Sequence, residues 1–382
     1  MEINMTFTKK DTQMLKGIAI ICMLIHHLFL DPSRYKGYSV DFWPLTETIT
    51  THIALAMKLC VAIFVMLSAY GMTLSYKKIN NNLEIKREQI KNVIISRYIK
   101  MMSGFMLIFL LVQIYALATN QPANIMTIYG KGIVAVFYFI LDLLGLAQLF
   151  HTPTFIATFW YMSLAQIIIF ALPVMIWIYK QFGSSVLLAL SMLIAVLFPV
   201  PTANASYEKT YAFFTVYVVC IALGIIMADK DFIVKMRNIN FAGKYKILSK
   251  ILKFVFYIAI IVAFLIVREE TRLTPLIAFW DAILPMLIIG FSFEFINVIP
   301  GIKHILGFLG TYSMEIFLLH NIIGRVWYKD FFYGIGKAWE IFGLLLLTTL
   351  IVAVAIKLFE KLIRFHKLTN WLIAKTTKAE KQ

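Results

Sequence analysis

Two adjacent histidines, His26 and His27, lie near the end of an apolar run that covers residues 15–30. An ionisable side chain in such a run is costly in lipid unless it faces a protein interior or a water-filled cavity, so it marks a candidate functional site. Histidine suits general acid–base chemistry because its ordinary pKa lies close to neutral pH. The run therefore predicts a site of proton transfer, and the alternative is a neutral imidazole hydrogen-bonded in the core.

Lys16 precedes His27 by eleven residues on the same predicted helix. At about 100° per residue, eleven steps return to within roughly 20° of the starting direction, whereas His26 points about 80° away. One helix face thus carries an ammonium group and, about 16 Å further along, an imidazole. His27 is the predicted general base and His26 the weaker candidate. Lys16 is expected either to bind an anionic ligand or to snorkel towards the membrane interface.

The composition is that of an integral membrane protein. Hydrophobic residues make up 61% of the 382 residues, charged residues only 15%, and the mean hydropathy is +0.82. Such values exclude an ordinary soluble domain. The net charge of +16 comes from Lys and Arg between the apolar runs, a pattern of cytoplasmic loops that argues against nucleic-acid binding. The three Cys lie singly in apolar runs and indicate neither disulfides nor a metal site.

Eleven apolar segments predict an all-α, polytopic membrane helix bundle. Ten are expected to cross the bilayer, and 132–150, which contains Asp142, is expected to be re-entrant or interfacial. The basic loop 229–249 and the basic C-terminal tail then both lie inside, as the positive-inside rule requires. Residues 1–382 are predicted to form one domain with both termini cytoplasmic and no appended soluble domain. The segments lie near residues 15–30, 53–75, 97–118, 132–150, 158–179, 184–199, 211–228, 250–267, 275–297, 304–324 and 339–358.

Three more ionisable residues, Asp281, Glu315 and His320, lie in apolar runs of the C-terminal half. His320 is a candidate to orient the site or to bind an acceptor. Glu315 is displaced from it by about 140° around the helix, so the two cannot line one groove from a single face. Glu315 is therefore expected either to act in the site or to pair with a cation on another helix. Asp281 is expected to pair with Arg268 or Arg272, or to bind an acceptor.

Four stretches, in order along the chain, carry a resemblance to a known family. The run LKGIAIICMLIHH, residues 15–27, looks like the first-helix signature of the membrane acyltransferase 3 family, although Lys16 stands where arginine is commoner. Three later stretches resemble further motifs of that family: FVMLSAYGMTL (64–74), FWYMSLAQ (159–166) and TYSMEIFLLH (311–320). Together the four stretches span most of the chain.

The resemblance implies an enzyme that transfers an acyl group, usually acetyl, from a cytoplasmic acyl-CoA such as acetyl-CoA. The acceptor would be a hydroxyl of a cell-surface or lipid-linked carbohydrate, so the reaction would be O-acetylation of a cell-envelope polysaccharide. The base would be His27, because attack of an alcohol on a thioester needs proton removal. No permanently bound cofactor and no metal are expected. The candidates are His27, His26, His320 and Glu315 as catalytic residues, Lys16, Lys77 and Lys78 as donor-binding residues, and Trp160, Tyr161 and Asp281 as acceptor-binding residues.

Two of these groups have plain structural alternatives. Trp160 and Tyr161 begin a helix beside the expected outer cavity, where they would either stack on a sugar or belong to an interfacial aromatic belt. Lys77 and Lys78 are the nearest match to an arginine motif of the family, and lysine does not replace arginine in bidentate phosphate binding.

Other functions are compatible with the same composition. A secondary transporter or flippase for a lipid-linked saccharide also places ionisable residues in the membrane, although such proteins often show inverted repeats and paired broken helices, of which the sequence shows no clear pair. A catalytically silent sensor or scaffold is a third alternative. The expected partners are acyl-CoA, a glycan acceptor and membrane lipid, without nucleic acid. A homo-oligomer is compatible with the sequence, and richness in Lys, Ile and Asn suggests a bacterial source.

Overall fold

The computed structural model describes residues 6–79, 83, 87–198 and 209–377. Over these ranges the chain is built from α-helices, and the only β pairing is an isolated bridge between Asp41 and Lys337. The predicted all-α class is confirmed. The helices are α1 (Lys9–Phe29), α2 (Glu47–Ala56), α3 (Leu59–Ile79), α4 (Arg87–Ala118), α5 (Ile125–Tyr129), α6 (Ile133–Leu143), α7 (Trp160–Leu197), α8 (Lys209–Asp229), α9 (Phe232–Asn238), α10 (Lys246–Glu270), α11 (Ile277–Phe291), α12 (Ile302–Thr311), α13 (Ser313–Asn321), α14 (Lys329–Tyr333), α15 (Ala338–Leu362) and α16 (Phe365–Thr377).

Seven helical segments in the described ranges are long and apolar enough to cross a membrane. The segments Ile302–Thr311 and Ser313–Trp327, bent by 67° at a short break, would together form an eighth. The predicted number of ten is therefore approximate. The difference arises in α7, which joins two of the predicted crossings, and in α8, whose apolar part Phe214–Asp229 is shorter than a full crossing.

Helix α7 is interrupted at Gly183, whose φ of +83° lies in the left-handed region that glycine adopts without steric cost. An unbroken helix of its 38 residues would be about 57 Å long, nearly twice the hydrocarbon core of a bilayer. The break divides α7 into two arms that correspond to the predicted segments 158–179 and 184–199.

The predicted re-entrant segment contains the short helix α6, which has 11 residues. Such a helix is about 16 Å long and cannot cross a bilayer by itself. A turn follows and leads into α7 through a short 3-10 helix, Ala157–Phe159. The geometry agrees with a segment that enters the bundle without spanning it.

Asp142 fixes this segment at the end of α6. Its carboxylate accepts hydrogen bonds from the Tyr129 hydroxyl at 2.6 Å, the Thr154 hydroxyl at 2.9 Å and the Phe155 amide at 2.6 Å. Burial raises the pKa of Tyr129, so its phenol stays protonated and remains a donor. Asp142 itself is buried, and both of its oxygens are hydrogen-bonded. The residue therefore ties three stretches of backbone together.

Helix α1 packs against α12 through direct backbone contact. A Cβ atom at Gly17 would overlap the carbonyl oxygen of Leu306, and one at Gly310 would overlap the carbonyl oxygen of Gln13. Gly17 lies beside Leu306, and Gln13, one turn earlier in α1, lies beside Gly310, one turn later in α12. Because neither glycine has a side chain, the two helices can approach this closely. Asp11, in the first turn of α1, adds an ion pair with Lys303 at 3.0 Å.

Candidate active site

A cavity of about 410 Å³ lies between α1, α3, α4, α7 and α13. Lys16, His26 and His27 of α1 line it, together with Lys58 from the break between α2 and α3. The rest of the wall is mostly apolar or aromatic and consists of Met23, Cys60, Val61, Phe64, Ser68, Met101, Thr158, Trp160, Tyr161, Met162, Ala165, Ser313, Met314 and Phe317. The cavity therefore combines a few cationic and imidazole groups with mostly apolar and aromatic walls.

Lys16 and His27 both line this cavity, as their shared helix face predicted. Helix α1 begins with a capping box in which the Thr8 side chain and Asp11 bond reciprocally, and it runs unbroken to Phe29. The spacing of about 16 Å along that helix therefore separates the two ends of the cavity. The ammonium of Lys16 lies at one end and the imidazole of His27 at the other.

His27 lies against a second imidazole, that of His320 in α13, with ring centroids 4.8 Å apart. His320 Nδ1 lies 2.7 Å from the carbonyl oxygen of Phe317. A carbonyl only accepts, so Nδ1 of His320 carries the proton and Nε2 is the unprotonated nitrogen. His320 Nε2 and His27 Nδ1 are both buried without a hydrogen-bond partner. Each of the two neighbouring rings therefore has a nitrogen that is free to bond to a substrate or to exchange a proton with it.

The third imidazole is tied to the backbone. His26 Nδ1 donates to the carbonyl oxygen of Ala54 in α2 at 2.8 Å, and its ring centroid is 5.1 Å from that of His27. Arg34 donates to the carbonyl oxygen of His27 and, at 3.4 Å, to that of His26. The His26 carbonyl also accepts a hydrogen bond from the Leu30 amide at 3.2 Å, so the arginine adds to the hydrogen bonds that end α1. His26 lines the cavity while serving to position the adjacent ring.

Glu315 does not line the cavity. It pairs with Lys357 of α15, Oε1 to Nζ, at 2.7 Å, and the same ammonium contacts Glu360 at 3.0 Å. The expected pairing with a cation on another helix is confirmed, and the structure does not bring this carboxylate together with the histidine rings.

The three predicted donor-binding lysines lie in different places. Lys16 lines the cavity, whereas Lys77 donates to the carbonyl oxygen of Asp229 at 2.7 Å and lies 3.8 Å from Asp231. Lys78 is exposed at the end of α3, and neither Lys77 nor Lys78 lines the cavity. The structure thus separates Lys16 from the two lysines that were grouped with it.

Arg97 of α4 is close enough to Lys16 to interact with it electrostatically. Its guanidinium donates to the Ser75 hydroxyl at 2.6 Å and to the Gly71 carbonyl at 3.3 Å. Sequence reasoning missed this residue because it treated Arg97 only as the start of an apolar run. An arginine eleven residues inside a long helix was the available signal.

The predicted acceptor-binding aromatic residues Trp160 and Tyr161 both line the cavity. The Tyr161 ring lies 5.3 Å from the Phe317 ring and 6.4 Å from the Phe64 ring. The start of α7 and the middle of α13 and α3 therefore supply an aromatic wall.

Asp281 is buried in α11 and forms an ion pair with Arg268 of α10, Oδ1 to Nε, at 2.5 Å. The predicted pairing with Arg268 is confirmed. Asp281 does not line the cavity. A second buried pair, Lys253 with Glu294 at 2.5 Å, bridges α10 and the π-helical turn after α11. Both pairs belong to the packing of α10.

Sequence reasoning also missed Lys58 and Thr158, which both line the cavity. Lys58 is a lone charge inside the apolar run 53–75, so the rule that singled out the histidines would have found it. Thr158 gave no such signal, because a threonine hydroxyl commonly bonds to its own helix. In the parts of the chain that the structure describes, no group of three or more His, Cys, Asp or Glu side chains is arranged to hold a metal ion.

The fold and the cavity define a class of protein, a polytopic membrane helix bundle in which two imidazoles, those of His26 and His27, line a cavity, while the ring of His320 lies outside the lining and contacts His27. The model of one family, described as an acyltransferase domain, matches residues 11–358. The chain belongs to the acyltransferase 3 family and is a membrane acyltransferase. No curated protein and no solved structure matches it.

Proposed function

We propose that this protein transfers an acetyl group from cytoplasmic acetyl-CoA to a hydroxyl of a cell-surface or lipid-linked carbohydrate, with His27 as the general base. One observation carries the proposal: His27, with an unpartnered ring nitrogen, shares a cavity with Lys16 and lies against His320. A buried polar atom without a partner costs free energy, and a substrate that supplies the partner removes the cost.

The donor is expected to enter at the Lys16 end of the cavity. Lys16 is a compact point charge, and Arg97 offers a planar fork of donors, so together they can contact the phosphates of the coenzyme. With both termini cytoplasmic, this end faces the cytosol. The acetyl thioester then extends along the apolar wall towards His27.

The reaction needs one proton to be taken up and given back. The acceptor hydroxyl oxygen attacks the thioester carbon while His27 removes the hydroxyl proton. The carbon–sulfur bond then breaks, and the thiolate of coenzyme A takes the proton from His27. The products are the O-acetyl ester and free coenzyme A. His320, fixed through Nδ1 to the Phe317 carbonyl, orients His27 or the acceptor hydroxyl from the neighbouring helix.

The acceptor is expected to approach from the other end, where Trp160 and Tyr161 lie. These rings can stack on the apolar face of a sugar while its hydroxyl points towards His27. In this proposal the donor and the acceptor enter from opposite ends of the cavity and meet at His27.

Purified protein in lipid nanodiscs, supplied with acetyl-labelled acetyl-CoA and a mixture of cell-envelope glycans, tests the proposal. We expect release of free thiol and transfer of label to glycan, both dependent on protein. A transporter or flippase would leave the thioester intact, so intact acetyl-CoA with every acceptor would overturn the proposed function.

A further inference from the structure

Lys58 carries a charge that the chemistry above does not use. It lies between α2 and α3, and its side chain lines the cavity. Its position follows from His26, which bonds to Ala54 one turn earlier. Lys58 therefore lies at the histidine end of the cavity, about 16 Å along α1 from Lys16.

No counter-ion in the described chain neutralises this ammonium. Asp281 interacts with it electrostatically, but Asp281 is already paired with Arg268 at 2.5 Å. Arg272 also interacts with Lys58 and adds another positive charge. The Asp281–Arg268 pair is neutral. The ammonium of Lys58 and the guanidinium of Arg272 therefore leave a net positive charge near this end of the cavity. The Lys58 side chain is exposed where it lines the cavity, so an anion in the cavity can reach it and would be attracted by this charge.

Thr158 supplies a second unmet group on the same cavity wall. Its hydroxyl is buried and has no hydrogen-bond partner, although the residue lines the cavity. A hydroxyl can donate to an anionic oxygen, which would satisfy it. An ammonium and a hydroxyl without partners therefore accompany the aromatic residues at the acceptor end.

We propose that Lys58 and Thr158 form an anion subsite for the acceptor, so that the acceptor carries a carboxylate or phosphate group near its reactive hydroxyl. This inference rests on the proposed function, because it names the substrate class of the same cavity. It assigns the two cationic ends to different substrates. Lys16 binds the donor, and Lys58 binds the acceptor.

Binding to the full-length protein in nanodiscs, measured by calorimetry without acetyl-CoA, tests the subsite directly. The probes are two matched pairs, methyl glucuronide with methyl glucoside and glycerol 3-phosphate with glycerol. We expect the wild type to bind at least one anion about tenfold or more tightly than its neutral partner, as for a charge-assisted hydrogen bond. The pair that shows the larger preference distinguishes a carboxylate from a phosphate.

Variants then assign the preference to residues. Lys58→Gln should remove it, Lys58→Arg should retain it within about threefold, and Thr158→Val should weaken it by about threefold. Lys36→Gln is the matched control, because Lys36 is exposed and does not line the cavity. If Lys58→Gln does not fold, the arginine and valine variants still report on the subsite.

Several results would overturn the inference. Equal binding of the charged and neutral probes by the wild type would do so, as would an unchanged preference in Lys58→Gln. A rise in the KM for acetyl-CoA in Lys58→Gln would assign this residue to the donor instead. An equal fall in kcat with charged and neutral acceptors would assign it to the oxyanion. None of these results requires the failure of acetyl transfer, which the thiol-release experiment measures separately.

Discussion

Asp142 and the pair of His27 and His320 are polar groups in the same helix bundle, but they differ in how completely their polar atoms are hydrogen-bonded. Both oxygens of Asp142 accept hydrogen bonds, from two hydroxyls and one backbone amide. The two imidazoles each retain a nitrogen without a partner. A buried group whose bonds are complete fixes the backbone around it, whereas a buried group with an unmet atom is prepared to bind something that arrives later.

The largest expected effect is at the imidazole pair. Replacing His27 by Ala should lower acetyl transfer by about 100-fold or more, because general base catalysis contributes that much. Protein abundance and melting temperature should stay close to those of the wild type, since the ring contributes no side-chain hydrogen bond to the fold. Thiol release per folded protein measures the change.

The control for this variant is His304→Ala, which removes an exposed imidazole from α12. Full transfer activity in His27→Ala would end the assignment of this residue as the base. A variant that is inactive and also unstable would place His27 with Asp142, among the groups that hold the fold.

At Asp142 the expected effect is on stability. Asp142→Ala leaves the Tyr129 hydroxyl and the Phe155 amide without an acceptor, so the free energy of unfolding should fall by about 3 kcal/mol. Tyr129→Phe removes only a donor and should cost about 1 kcal/mol. Thermal unfolding in nanodiscs measures both.

The KM for acetyl-CoA should not change in the fraction of Asp142→Ala that remains folded. Normal melting combined with lost transfer would contradict the comparison, because it would make Asp142 a participant in the reaction.

The smallest effect should appear at Lys16. Lys16→Gln is expected to raise the KM for acetyl-CoA by about tenfold, as for loss of one charge-assisted hydrogen bond, with little change in kcat. Lys10→Gln is the matched control, since Lys10 is exposed near the start of the same helix. A KM equal to that of the wild type would show that Lys16 only marks the membrane interface.

Local periodicity was enough to place Lys16 and His27 on one face, because eleven residues nearly complete three helical turns. The need of a buried acid in an apolar helix for a nearby cation was enough to name Arg268 and Arg272 as the possible partners of Asp281, and Arg268 is the one that pairs with it. These predictions depend only on one helix or on two helices that follow each other in the chain.

The contact between His27 and His320 could not be predicted in this way. Nearly 300 residues separate the two rings, and their contact depends on how α1 packs against α12 and α13. Lys77 and Lys78 were predicted from their resemblance to an arginine motif of the family, whereas Arg97 was not considered, because only packing brings it close to Lys16. The predicted number of membrane crossings was approximate for a related reason, because the break at one glycine, Gly183, decides whether α7 counts as one crossing or two.

The glycine contacts between α1 and α12 also determine the precision of the site. Gly17 and Gly310 allow main chain to rest on main chain, which leaves no flexible side chain in between to absorb a shift. The two imidazole-bearing segments are therefore held in a fixed relative register by groups that never meet a substrate. A methyl group added at either glycine should push the helices apart and change the alignment of the His27 and His320 rings, which lie more than two helical turns away.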